Sequence, residues 1–383
     1  MRMPGLDLLR ALAVLWVMLF HSFVVGGLGE DWYWLSRYGW MGVDLFFVLS
    51  GFLIGSQVLR PLARGEPLSI LDFYLRRAFR ILPAFWVVLA LYVAFPWLRE
   101  APGMEPWWKF AAFFMNVSIN YADNAAFSHA WSLCVEEHFY LVFPLLAWAM
   151  MRRPSVAKFS VVCVCVVLAG IALRSGTWLH NTALDEAGGP SRNWFVEDIY
   201  YPTWNRLDGL LFGVVLAVLR TFRPALWQRL QANANVLLVV GLVVMAFAFW
   251  LFRDRVGFLG NSIGWPVLSL GLALLVCAGT SAHCWISRRA LPGMGWVAAA
   301  SFSLYLTHKA AFHVTQDLFG EQLEGRGVVA FVAYAVAALG VGAVLHYLVE
   351  KPFLTLRGRI VRRRESADAT ADGRVIPAKA GGQ

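Results

Sequence analysis

Charge is what this sequence has least of. Asp, Glu, Lys and Arg together make up 15% of its 383 residues, against 59% hydrophobic and 15% aromatic. An ordinary soluble domain carries about 25% charged residues, so that class is excluded. The mean hydropathy of +0.59 points the same way. Cysteine is scarce as well. Cys134, Cys163, Cys165, Cys277 and Cys284 are odd in number and mostly sit inside apolar stretches. This excludes a disulfide framework and zinc-type spacing, and they read as small buried hydrophobes with no metal site. No internal repeat is visible, which weighs against a transporter built from two related halves.

Long apolar runs take the place of charge. They fall at 6–27, 40–60, 78–97, 130–151, 157–174, 204–220, 235–252, 262–280, 297–316 and 327–349. A span needs roughly 20 apolar residues. The expectation is an all-α integral membrane protein, a polytopic bundle of about 10 transmembrane helices. The piece 107–119 is too short to cross and reads as interfacial or re-entrant. Eighteen Trp suit two headgroup belts.

Loop charges set an orientation. The connections at 60–80, 152–158, 220–229 and 281–290 are rich in arginine, from Arg60 and Arg64 to Arg288 and Arg289. The alternate connections are mixed or acidic, with Glu30, Asp31, Glu100, Glu105, Asp185, Glu197 and Asp254 among them. The positive-inside rule makes the first set cytoplasmic, and with it Arg2, Arg357 and Arg359. Both termini are then expected in the cytoplasm. The net charge of +9 is assigned to topology and anionic lipid, not to nucleic acid. Residues 1–356 form the transmembrane domain in this reading, and 357–383 a basic, disordered tail.

A few polar residues interrupt the apolar runs, where each costs about 2.5–3.5 kcal/mol if charged. Arg10 and His21 share one face of the first span, about 16–17 Å apart. In the proposed orientation His21 lies in the outer half. Asp44 of the second span, Glu136 and Glu137 of the fourth, and Arg206 and Asp208 of the sixth fall at similar depth. Glu136 and Glu137 differ by about 100° around a helix, so only one can face a cavity squarely. Each has a bland alternative: a packing histidine, a capping or paired carboxylate. At the cytoplasmic end of the third span, Arg76, Arg77 and Arg80 fit either a polyphosphate clamp or a lipid-headgroup anchor. The ninth span carries Ser303, Tyr305, His308 and Lys309, and Lys309 must snorkel or pair.

Taken in order, these segments resemble the acyltransferase-3 family of integral membrane acyltransferases. The matching residues are Arg10 with His21, Gly42 to Ile54, Arg76 to Pro83, Trp131 to Leu141, Arg206-Leu207-Asp208-Gly209, Ser301 to Leu306 and Glu350-Lys351-Pro352. No single motif is specific; seven in the family's order are. Cys134, Phe302 and Thr307 are small departures. The resemblance implies transfer of an acyl group, most often acetyl from acetyl-CoA, to a hydroxyl of a carbohydrate or glycoconjugate. It implies a multi-pass protein of a bacterial inner membrane, without an appended hydrolase-like domain and with no bound cofactor beyond the acyl-CoA co-substrate.

The expected mechanism has CoA phosphates on Arg76, Arg77 and Arg80, with Arg10 further along the donor's path. His21 acts as general base or as acyl relay, oriented by Glu136 or Asp44. Trp131, Ser132, Glu137, Arg206, Ser303, Tyr305 and His308 support the site or meet the acceptor. A transporter or flippase for a glycolipid or small solute, using the same polar stripe, is the rival from another class.

Overall fold

The protein is described here from a computed structural model covering residues 3–22, 25, 33–189 and 192–360. Arg2, Glu30, Asp31 and everything from 361 onward lie outside the described residues, and so does most of the expected tail. Thirteen α-helices follow one another: α1 (Pro4–Ser22), α2 (Tyr33–Ser36), α3 (Met41–Ala63), α4 (Ile70–Ala94), α5 (Trp107–Ala111), α6 (Trp131–Met151) and α7 (Val156–Glu186). Then come α8 (Leu207–Phe222), α9 (Pro224–Ala232), α10 (Ala234–Leu251), α11 (Trp265–Gly279), α12 (Met294–Leu323) and α13 (Val328–Leu345). No strand occurs among the described residues.

Among the described residues, eight helices are long and apolar enough to cross a membrane, or nine when α8 and α9, bent by 111°, count as one broken span. Two of the ten expected stretches therefore fall short on their own. α8 has only 16 residues. α12 has 30, long enough to cross, but carries His308, Lys309, His313 and Gln316. The segment 107–119 contributes only the five residues of α5, so it does not cross. The last helix runs on through Ile360, past the expected start of the tail at 357.

Local chemistry explains where several helices begin. Ser69 caps α4 by accepting from the Asp72 amide at 3.3 Å, and Ser155 caps α7 from the Lys158 amide at 3.4 Å. Packing is closest between α3 and α8. A Cβ on Gly51 would stand 2.1 Å from the Leu210 carbonyl, and one on Gly213 2.2 Å from that of Val48. Small residues let the two backbones touch, which is how helices associate where lipid removes the hydrophobic drive.

Two buried ion pairs tie α3, α7 and α8 together. Arg206 donates to Asp44 at 2.8 Å, and Arg174 to Asp208 at 2.7 Å. Arg174 also donates to the carbonyls of Asn205 (2.7 Å) and Asn261 (3.0 Å). The Arg206 guanidinium lies 3.7 Å from the Trp265 ring centroid, 4.5 Å from that of Tyr200 and 5.1 Å from that of Trp131. Trp131 in turn stacks on Tyr201 at 5.1 Å. Cations are tolerated at this depth because carboxylates, carbonyls and aromatic faces surround them.

Candidate active site

α1 delivers His21 at its last turn, against α12. His21 Nδ1 lies 2.8 Å from His308 Nε2, with the rings stacked at 4.9 Å. The far nitrogen of His308, Nδ1, is 2.8 Å from the Tyr305 carbonyl and 3.2 Å from that of Leu304. Carbonyls only accept, so Nδ1 of His308 carries its proton and Nε2 of a neutral ring is an acceptor. His21 must then donate from Nδ1, which leaves its Nε2 with an unused lone pair. The tautomer of His21 is thus set by the backbone of α12.

A third histidine and a half-buried ion pair adjoin this dyad. The His129 ring is 5.2 Å from that of His308, and its Nε2 lies 3.2 Å from the Leu306 carbonyl. His129 Nδ1 faces Glu100 Oε1 at 3.9 Å. Lys309 Nζ meets the same carboxylate oxygen at 2.7 Å and Ser128 Oγ at 3.3 Å. Burial pushes the Glu100 carboxyl up, but Lys309, His129 and the amide hydrogen bonds outweigh that and hold it at about 2.

A second polar site lies deeper. A cavity of about 140 Å³ is lined by Arg10, Phe46, Ser50, Arg77, Arg80, Ser132, Glu136, Tyr140, Ser301 and Tyr305. Its carboxylate, Glu136, accepts from Ser50 at 3.0 Å and from Tyr140 at 2.5 Å. Arg77 stands over the Tyr140 ring at 5.0 Å. At the other end the Tyr305 hydroxyl donates to the His129 carbonyl at 2.9 Å and lies 2.7 Å from Ser132 Oγ. Tyr305 is one helical turn from His308, so the cavity ends about a turn short of the dyad.

Several sequence expectations change here. Neither Glu136 nor Asp44 hydrogen-bonds His21. Glu136 lies more than a turn into α6 and belongs to the deeper cavity, and Asp44 is engaged by Arg206. The group at the dyad's level on that chain segment is His129, just before α6 starts. Of the two adjacent glutamates it is Glu136, not Glu137, that lines the cavity. Arg77 and Arg80 line it with Arg10, and Arg76 does not, because the i, i+3 pair turns inward instead of the i, i+4 pair. Ser303 donates to Glu350 at 2.7 Å, tying α12 to the end of the last span, where His346 also binds Glu350 at 2.8 Å. Glu100 and His129 were not singled out from sequence. The one signal for Glu100 was indirect: Lys309 needed an anion.

The pattern of the family described as an acyltransferase domain matches residues 3–347. The chain belongs to the acyltransferase-3 family. Similar proteins include O-acetyltransferase OatA from Staphylococcus aureus strain NCTC 8325 / PS 47, 25% identical over 327 residues, covering 80% of this chain and 50% of OatA. OatA of strain COL matches with the same figures. SAS0844 of strain MSSA476 is 26% identical over 346 residues, covering 83% of this chain and 52% of its own. The chain thus spans about half the length of the curated relatives it matches. No solved structure matches it at a significant level. The family match runs through both polar sites, from Arg10 and His21 on α1 to His308 on α12.

Proposed function

We propose that this member of the acyltransferase-3 family is a membrane O-acetyltransferase, moving acetyl from acetyl-CoA to a hydroxyl of a carbohydrate or glycoconjugate. The observation that carries the reading is the His21–His308 pair, because it leaves His21 Nε2 with a lone pair and no partner among the described residues. The arginine-rich end of the bundle is assigned to the cytoplasm of a bacterial inner membrane, where acyl-CoA is available. CoA phosphates bind at Arg77 and Arg80, whose guanidinium groups match phosphate oxygens, with Arg76 at the rim. Pantetheine follows the cavity past Arg10 and Glu136 toward Tyr305 and Ser132. The thioester then lies within reach of His21.

Two routes use the same nitrogen. As general base, His21 Nε2 takes the acceptor's hydroxyl proton as that oxygen attacks the thioester carbonyl. The C–S bond breaks, the imidazolium returns the proton to the sulfur, and ester and free CoA leave. As relay, Nε2 attacks the carbonyl itself and thiolate departs. The acceptor hydroxyl then attacks the acyl carbon, the C–N bond to His21 breaks, and the hydroxyl proton ends on the CoA thiolate as the ester leaves. In both routes positive charge develops on His21, and the neutral His308 acceptor at Nδ1 stabilises it.

Purified protein in liposomes, given acetyl-CoA labelled in the acetyl group, is expected to release CoA and pass the label to added carbohydrate acceptors. Label trapped on His21 before acceptor is added marks the relay route. No CoA release under any acceptor condition would sink the assignment.

A further inference from the structure

A second, larger cavity shares no lining residue with the polar one. It measures about 990 Å³ and lies between α6, α7 and α8. α8 lines it from Leu207 to Phe222, a helix of 16 residues or about 24 Å, close to the roughly 30 Å of a bilayer's hydrocarbon core. The buried residues of α7 are Gly170, Arg174 and Asn181, none of them before residue 170, and Arg174 is pinned to Asp208. Only 156–166 of α7 borders the space. The lining is apolar along its length, with Phe139, Phe143, Leu211 and Val215 typical of it.

The two ends differ. At one, the polar groups are already satisfied: His138 Nδ1 lies 2.7 Å from Thr203 Oγ1, which also accepts from Asn116 at 2.8 Å. At the other, Arg223 borders the mouth itself, and Arg152, Arg153 and Lys158 flank the Pro154–Ser155 turn that closes it. Arg153, Lys158 and Arg223 are exposed, and no acidic residue borders the cavity. Hydrocarbon walls with cations at one end match a lipid chain beneath an anionic headgroup. Basic pockets between transmembrane helices select anionic lipids in this way.

We propose that this cavity is a binding site for an anionic phospholipid of the leaflet at the arginine-rich end, its chains between α6 and α8 and its phosphate at Arg223 and Arg153. The site stands independently of the acetyl-transfer reading. The occupant fills the space beside 156–166 of α7, where that helix has no buried residue, and so holds α7 against the bundle.

The test is native mass spectrometry of the full chain released from vesicles of phosphatidylglycerol and phosphatidylcholine with matched chains. Phosphatidylglycerol adducts should exceed phosphatidylcholine adducts by roughly fivefold for each arginine engaged. Val215→Trp, which narrows the space beside α8, should weaken the adducts. Arg153→Gln with Arg223→Gln, both at exposed positions, should keep the fold and lose the headgroup preference, and this pair decides if Val215→Trp does not fold. Equal retention of the two lipids, or adducts unchanged in Val215→Trp, would overturn the site. Displacement of phosphatidylglycerol by a small excess of a polyprenyl phosphate would overturn the choice of occupant.

Discussion

Two regions of this bundle carry buried ionisable groups, and they are built on opposite rules. Around Asp44, Arg206, Arg174 and Asp208 each cation has a carboxylate within 2.8 Å, and carbonyls or aromatic faces surround the rest. Around His21 the neighbours are two more histidines, and the hydrogen bonds from α12 through His308 leave His21 Nε2 with no partner among the described residues. The first arrangement uses charge to fix helices against one another. The second keeps a group in a chosen protonation state with one valence left over. Cost of burial alone does not distinguish them, and the kind of partner does: carboxylate against guanidinium in the first, imidazole against imidazole in the second.

The comparison can be broken first at the ion pairs. Asp44→Leu leaves Arg206 buried without its carboxylate and should cost about 3–5 kcal/mol. Folded yield and melting temperature in detergent are the readout, and Asp44→Leu with Arg206→Met should recover much of the loss. If Asp44→Leu melts like the wild type, the pair is not a staple. At the dyad, stability should hold while chemistry suffers. His308→Ala is expected to lower kcat by about a hundredfold with an unchanged melt. His308→Gln, whose side-chain carbonyl can accept from His21 Nδ1, should recover part of it and shift the pH–rate profile.

The cavity lined by Arg10, Arg77 and Arg80 sharpens the contrast between binding and bond-making. Arg77→Ala with Arg80→Ala should raise the KM for acetyl-CoA roughly tenfold or more, leaving kcat at saturation nearly intact. An unchanged KM would return those arginines to the role of lipid anchors. The smallest effect concerns Glu100. Its carboxyl is held at about 2 from an ordinary 4.5, so the stability it adds is complete above about 4.5. That contribution fades as pH falls through 4.5 toward about 2, when the carboxylate takes up a proton. Melting temperature measured down that range should fall less steeply in Glu100→Gln than in the wild type.

Much of this was legible in the sequence because lipid is a strict solvent. Apolar runs had to be helices, and intramembrane charges had to face inward. Arg10, Arg77 and Arg80 line one cavity, and Arg76 does not. Depth along a span was legible and rotation about it was less so. Glu136 and Asp44 were expected beside His21 because they shared its approximate level. The actual neighbours are His308, named only as supporting, and His129 just before α6. Glu100 escaped because it lies in a connection, where an acidic residue reads as a topology signal. Only the fold brings that connection over Lys309.

The central claim is that the spare nitrogen of His21 performs the transfer. It is tested most directly by the rate of CoA release from labelled acetyl-CoA in liposomes holding wild-type or His21→Ala protein at matched folded amounts. A fall of about 10²–10⁴-fold, with an unchanged melt, is the predicted result. Release at the wild-type rate in His21→Ala would contradict it.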